Sequence, residues 1–117
     1  MLNFSISSEG DVAIVYIVGE LDASGADDFS KTMLDIAHDG TAYIILNMTE
    51  VSYISSNCIK PLLAWLEETK SASGKRQLAL CNLQEFVREV FRITEFDRKF
   101  PIYDTEDSAL NAFRRRV

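Results

Sequence analysis

Hydrophobic residues recur along this 117-residue chain at two spacings, every second position in some stretches and every third or fourth in others. Leu2, Phe4 and Ile6 alternate with polar residues, which predicts an edge strand with one buried face. A polar turn at 8–11 separates this strand from the apolar run 12–18, which is typical of a strand covered on both faces. The spacing therefore predicts an N-terminal β-hairpin.

Three later stretches also have strand patterns. Two are uninterrupted apolar runs, typical of buried strands, and the third contains Pro101, which favours a marginal or edge position because proline cannot donate to a sheet. The three predicted strands are 42–46, 78–81 and 100–103.

Between the strands, four stretches have apolar residues at helical spacing. The first has Ser24 as its candidate N-cap and Gly40 as its terminator. The second begins close to Asn57, because Pro61 is tolerated only near the start of a helix, and it runs until Gly74. The third has its apolar face at 83–91, and the last opens at Glu106-Asp107 and closes with Arg114-Arg115-Arg116. The apolar helical positions are Ala26, Phe29, Met33, Ile36 and Ala37; Ile59, Leu62, Leu63 and Leu66; Leu83, Phe86, Val87, Val90 and Phe91; Ala109, Leu110 and Phe113.

The order of these elements, β-β-α-β-α-β-α-β-α, indicates the fold class. Helices that connect buried strands imply parallel pairing, whereas the first two strands form a hairpin. We therefore predict one α/β domain over residues 1–117, with a mixed, mostly parallel sheet and about four helices. The loops that follow neighbouring parallel strands gather at one edge of the sheet, so the loops that contain Asp22 and Ser56 should meet.

Composition narrows the function. The net charge is −6, from 18 acidic and 12 basic residues, which argues against a nucleic-acid partner because such binding needs a basic face. The start of the chain does not read as a signal peptide and its apolar runs are short, so we expect a cytoplasmic protein without a membrane partner. Two cysteines and one histidine provide no usual metal-ligand set, and the isolated glycines form no phosphate-binding loop. We expect no cofactor, no metal and no enzymatic activity.

Ser56 lies where a loop becomes a helix. A serine there is either an N-cap or a hydroxyl presented for modification, since a helix N-terminus readily accepts a phosphate. Asp22, at the end of a buried strand, is either an N-cap carboxylate or a group beside the Ser56 loop. Cys58 either packs in the core or, if exposed, is a redox-sensitive thiol at a helix N-terminus.

Two segments give the chain a resemblance to the STAS domain family, specifically to the bacterial anti-sigma factor antagonists. Gly19-Glu20-Leu21-Asp22 is similar to the family's G-x-L/I-D at the end of its second strand. The segment 51–59, Val-Ser-Tyr-Ile-Ser-Ser-Asn-Cys-Ile, is similar to its signature loop, in which an aromatic and an aliphatic residue precede D/S-S-S/A-G-L. The chain departs from this pattern at Asn57, in place of a small residue, and at Cys58, in place of glycine. A side chain at position 58 is expected to restrict φ or to crowd a partner.

The resemblance implies a partner switch. Ser56 would be phosphorylated by an anti-sigma serine kinase that binds the unmodified chain through Asp22, Ser55, Ser56, Asn57 and Cys58. A serine phosphatase would be a second partner, and ATP and Mg²⁺ would belong to the kinase. The alternative is a STAS module that takes no phosphate and acts as an adaptor or structural subunit in a transporter or sensory assembly.

Overall fold

The computed structural model describes residues 2–38, 43–68 and 77–114. Five strands form one sheet in the order β1-β2-β3-β4-β5, in which β1 and β2 are antiparallel and the other neighbours are parallel. This confirms the predicted α/β fold class, including the hairpin and the four helices. The strands are β1 (Asn3–Glu9), β2 (Val12–Leu21), β3 (Tyr43–Ile54), β4 (Gln77–Cys81) and β5 (Ile102–Tyr103); the helices are α1 (Ala26–His38), α2 (Ser56–Glu68), α3 (Glu85–Ile93) and α4 (Glu106–Arg114).

The helices cover the two faces of the sheet unequally. Because the strands follow chain order, successive right-handed crossovers place α1, α2 and α3 on the same face. Alternate residues of the strands form the core beneath these helices, and the intervening residues pack against α4. The first core includes Val15, Ile17, Ile44, Leu46 and Leu80 with Phe29, Met33, Ile59, Leu62, Val87 and Phe91, and the second includes Val12, Ile14, Ile45, Ala79 and Cys81 with Ala109, Leu110 and Phe113.

The third strand differs from the prediction at its carboxyl end, because β3 continues to Ile54 instead of ending at Leu46. Two register shifts against β2 each insert one extra residue into β3, the second of them at Ser52. Each inserted residue lengthens the spacing between buried side chains from two positions to three. The buried side chains of this segment are accordingly Met48, Val51 and Ile54.

The starts of α2 and of α4, which begins at Glu106, agree with the prediction, whereas the start of α1 differs. The start of α2 at Ser56 confirms that Pro61 places the helix entry close to Asn57. The prediction that Ser24 is the N-cap of α1 is wrong: α1 begins at Ala26, and Gly25 precedes it with its carbonyl accepting a hydrogen bond from Phe29 N–H at 3.0 Å. The apolar face of α4 follows the prediction. The strand β4 ends at Cys81 as predicted and begins one residue earlier, and β5 is an edge strand as predicted but covers only the second half of the segment 100–103. The predicted terminators Gly40 and Gly74, the first residue of the 42–46 run and Arg115-Arg116 lie outside the described residues.

Candidate functional site

The loop after β2 and the loop after β3 lie side by side at the carboxyl edge of the sheet, as the parallel arrangement predicted. The Ser55 N–H donates to the Leu21 carbonyl at 2.9 Å, and the Cys58 thiol lies 3.5 Å from the Asp22 carbonyl oxygen and donates to it. Ser55 in the loop and Cys58 in the first turn of α2 thus fix the start of α2 against the carboxyl end of β2.

Ser56 is the first residue of α2 and is exposed. Its hydroxyl makes no hydrogen bond within the described part of the chain. The residue in the N-cap position is Ser55, whose carbonyl accepts from Cys58 N–H at 3.0 Å. The first amides of α2 have no acceptor within the helix, and the helix dipole favours negative charge there. Of the two alternatives for Ser56, the geometry supports a hydroxyl presented to solvent.

Cys58 is completely buried and packs in the core beneath α1, α2 and α3. Burial raises the pKa of its thiol, an effect that the neighbouring Ser55 hydroxyl opposes and that the Asp22 charge reinforces. The Ser55 Oγ is itself buried and forms no hydrogen bond to the residues that the structure describes. Cys58 does not adopt a positive φ, the conformation that would strain a residue other than glycine; in the described segments the residues that do so, apart from glycine, are Asn82 and Glu95. The side chain also points inward, so it leaves the loop surface clear for a partner.

Asp22 has a structural role in its own loop. Its Oδ1 accepts hydrogen bonds from the Ser24 hydroxyl at 2.6 Å, from Ser24 N–H at 3.0 Å and from Gly25 N–H at 3.2 Å. The Ser24 hydroxyl is the main cause of the lowered pKa of this carboxyl, and the amides of Gly25 and Ser24 contribute further. Asp22 therefore holds the turn before α1 as an anion, while its Oδ2 makes no hydrogen bond to the described residues.

An open groove of about 780 Å³ runs beside this turn. It carries three carboxylates, and the inserted residue Ser52 contributes a hydroxyl to its wall. The ion pairs between described residues lie elsewhere, on α3, on the turn that follows it and on the connection between β5 and α4: Arg88–Asp104, Arg92–Glu89 and Arg98–Glu95. The groove is therefore acidic, and its lining residues are Leu2, Gly19, Glu20, Asp22, Ser24, Gly25, Asp28 and Ser52.

An aromatic pair that the sequence pattern did not predict lies near this edge. Tyr53 in β3 stacks on Phe86 in α3, with ring centroids 5.7 Å apart and the planes at 17°. Both side chains are exposed, although Phe86 was assigned to the apolar face of its helix. The sequence offered no signal for this exposure, because positions 83, 86, 87, 90 and 91 have the ordinary spacing of one core-facing helical stripe, and the other four residues do pack in the core.

The described residues contain no group of three or more His, Cys, Asp or Glu side chains placed to hold a metal ion. Among these same residues, no helix has both the length and the apolar character needed to cross a membrane.

Comparison with known proteins identifies the family. The STAS domain model matches residues 3–109, so this chain belongs to the STAS domain family. The protein of Bordetella bronchiseptica named "Putative anti-sigma factor antagonist BtrV" is 27% identical over 101 residues, which are 86% of this chain and 85% of the relative. A Thermotoga maritima protein with the same description, but without the name BtrV, is 31% identical over 107 residues, covering 91% of this chain and 93% of its own length.

Solved structures share the fold. A crystal structure of a Thermotoga maritima protein with that description superposes with a TM-score of 0.85 at 29% identity, covering 95% of this chain and 94% of the other. The anti-sigma factor antagonist SpoIIAA is similar in its unphosphorylated form, with a TM-score of 0.69 at 21% identity over 96% of this chain and 98% of that one. Its phosphorylated form from Bacillus has a TM-score of 0.67 at 19% identity, covering 95% of this chain and 99% of that chain.

Proposed function

We propose that this chain is an anti-sigma factor antagonist that acts by partner switching. Unmodified, it binds an anti-sigma factor that is also a serine kinase and thereby frees a sigma factor; phosphorylated on Ser56, it is released. The observation that carries this proposal is the exposed Ser56 hydroxyl, which has no hydrogen bond to the described residues and stands at the first position of α2. The relatives' names and the two phosphorylation states solved for SpoIIAA support it.

A phosphate on Ser56 is compatible with the folded chain. It adds a charge of about −1.5 to −2 at pH 7, and the amides and dipole at the start of α2 can stabilise that charge. Because Ser56 is exposed, the phosphate also keeps most of its water in the free protein. Folding should therefore change little.

The effect of the phosphate falls on the interface. A partner selected for a neutral hydroxyl would have to strip water from the phosphate and bury it without matching groups. The acidic groove beside the β2–α1 turn adds like charge to the same edge. A coupling of about 3 kcal/mol lowers affinity by roughly 150-fold, which is enough to release the partner.

The proposed partners supply the chemistry. The Ser56 hydroxyl makes no hydrogen bond to a general base among the described residues, so the phosphate is transferred by the kinase with its own ATP and Mg²⁺, and a serine phosphatase removes it. The other residues predicted to bind the partner serve the interface in two different ways. Asn57 is exposed and can contact the partner, whereas Asp22, Ser55 and Cys58 hold the two loops together. Because the proposed partners act on a sigma factor, we expect the protein to work in the cytoplasm.

The test is phosphorylation by purified anti-sigma kinases from the same genome, with mapping of the modified residue. We expect one phosphate on Ser56 and none in Ser56→Ala, whose stability should stay within about 0.5 kcal/mol of wild type because the hydroxyl makes no hydrogen bond. Ser52→Ala is the matched control, since Ser52 is also an exposed serine near the same edge. Phosphate on Ser52 would show that the acceptor is wrong. Kinase binding without any phosphate uptake would favour the STAS adaptor instead.

A further inference from the structure

The stacked pair Tyr53 and Phe86 is unusual because aromatic side chains normally bury most of their surface. Here Tyr53 is 40% exposed and Phe86 is 53% exposed. The two rings are stacked with their centroids 5.7 Å apart, so they overlap in part and together form an apolar area on the surface. Tyr53 lies near the end of β3, and Phe86 lies on the first turn of α3.

The apolar surface continues along α3. Val90 and Ile93 follow Phe86 at helical spacings of four and seven positions, which place them on the same side of the helix. Ile93 is 70% exposed, and Val90 is partly buried where the patch borders the adjacent side of the helix, whose residues Val87 and Phe91 are buried in the core. We call Tyr53, Phe86, Val90 and Ile93 the α3 patch.

The α3 patch is close to the Ser56 site. Tyr53 precedes Ser56 by three residues, so their Cα atoms are at most about 11 Å apart. A standard protein interface covers about 800 Å² on each partner, which corresponds to a disc of roughly 16 Å radius. A protein that binds with Ser56 near the centre of its interface therefore reaches Tyr53 unless it approaches from the opposite side.

The charge around the site indicates which side chains a binding partner would present to it. The segment 52–56 runs between the α3 patch and the acidic groove, to which Glu20, Asp22 and Asp28 contribute carboxylates. The arginines on α3 are paired with carboxylates of this chain, Arg88 with Asp104 and Arg92 with Glu89, which leaves the groove's negative charge uncompensated by them. A complementary partner presents basic side chains to the groove and an apolar side chain to the patch.

We infer that the α3 patch is the apolar anchor for the anti-sigma kinase, with basic residues of that kinase facing the groove. This inference rests on the proposed function and extends the interface from the Ser56 loop to α3. Aromatic residues near the centre of an interface carry much of its binding energy, so the ring of Phe86 should matter more than its share of the contact area.

The experiment measures the affinity and steady-state kinetics of phosphorylation for Phe86→Ala with the kinase that phosphorylates Ser56. We expect Kd and KM to rise at least tenfold with kcat unchanged, because the ring contributes to docking and not to phosphate transfer. Ile6→Ala is the matched control: Ile6 is also 53% exposed but lies on the hairpin strand β1, and its removal should change Kd less than twofold. Phe86→Tyr keeps the ring and should bind like wild type.

A second variant, Glu20→Gln, tests the contribution of the acidic groove to kinase binding. Glu20→Gln should weaken the binding of the same kinase about fivefold and reduce the dependence of Kd on salt, because it removes one charge from the groove. An unchanged Kd and an unchanged salt dependence would contradict a basic partner surface at the groove.

The outcomes separate this inference from the proposed function. Normal kinase binding by Phe86→Ala, with Ser56 still phosphorylated, would overturn the role of the α3 patch and leave the partner switch intact. A wild-type dimer that dissociates in Phe86→Ala while kinase affinity stays the same would assign the patch to a second copy of the chain and would also overturn the inference. Failure of every kinase to bind or modify the wild-type chain would overturn both.

Discussion

At the scale of single residues, Asp22 connects the two loops of the site. Its carboxylate holds the turn before α1 through Ser24 and Gly25, and its carbonyl accepts the Cys58 thiol at the start of α2. Asp22→Asn keeps an acceptor oxygen and removes the charge. We expect it to lower kinase affinity by roughly tenfold while preserving the fold. Calorimetric titration of the kinase and a circular dichroism spectrum would check this; unchanged affinity with reduced stability would leave Asp22 only its structural role.

The lowered pKa of Asp22 also predicts a pH dependence. Because folding lowers the pKa of this carboxyl from its ordinary value of 3.8, its ionised form stabilises the fold above that pH, and the contribution is lost as the pH falls through the folded value. Urea unfolding of wild type and Asp22→Asn should differ by a constant amount from pH 7 to about pH 5, and the difference should shrink below about pH 4. A difference that stays constant at acidic pH would contradict this assignment.

The buried thiol of Cys81 predicts a loss of stability as the pH rises. Burial, reinforced by the charge of Glu106, raises the pKa of the Cys81 thiol from 9.0 to about 12. The unfolded chain then releases its thiol proton first, so stability falls as the pH rises above 9, by up to about 1.4 kcal/mol per pH unit for this group. Urea unfolding at pH 8 and pH 10 should show a smaller alkaline loss in Cys81→Ala than in wild type. An equal loss in both proteins would show that a group other than Cys81 causes the alkaline destabilisation.

At the scale of elements, the carboxyl half of β3 is shaped by its two register shifts. Asn47 lies just before the first shift, and its Oδ1 accepts from Thr49 N–H at 3.0 Å and from the Thr49 hydroxyl at 2.6 Å. Its Nδ2 donates to Glu106 Oε1 at 3.0 Å, which connects the strand to the start of α4. Asn47 is only 8% exposed, so this small network fixes the strand that leads to Ser56.

We therefore expect Asn47→Ala to destabilise the fold by about 1–3 kcal/mol, because it leaves the Thr49 amide without its acceptor in a partly buried position. Thr49→Val removes only the hydroxyl and should cost less, about 1 kcal/mol. Thermal or urea unfolding of both variants shows which of them loses more stability. A loss in Thr49→Val as large as that in Asn47→Ala would show that the amide contact contributes nothing.

At the scale of the whole molecule, the proposed switch leaves the architecture unchanged. The start of α2 lies at the edge of the sheet, while the cores on both faces are formed by residues that a phosphate on Ser56 does not touch. Amide exchange should change only around residues 52–60 on phosphorylation, while affinity for the kinase falls roughly 150-fold. Exchange of the unmodified and phosphorylated chains, measured side by side, tests this. Loss of protection in β2 or β4 would replace a local block with a conformational change.

The sequence by itself determined the order of elements, the hairpin, the parallel sheet and the meeting of the Asp22 and Ser56 loops. Each of these follows from local periodicity, from Pro61, or from the rule that loops after parallel strands share one edge. The segment after Leu46 could not be predicted, because register shifts against a distant strand spaced its buried residues three apart. Only the tertiary structure decided that Ser55 is the N-cap, that Cys58 is buried and that Tyr53 meets Phe86. Burial and contact between residues far apart in the chain are properties of packing, which no local pattern encodes.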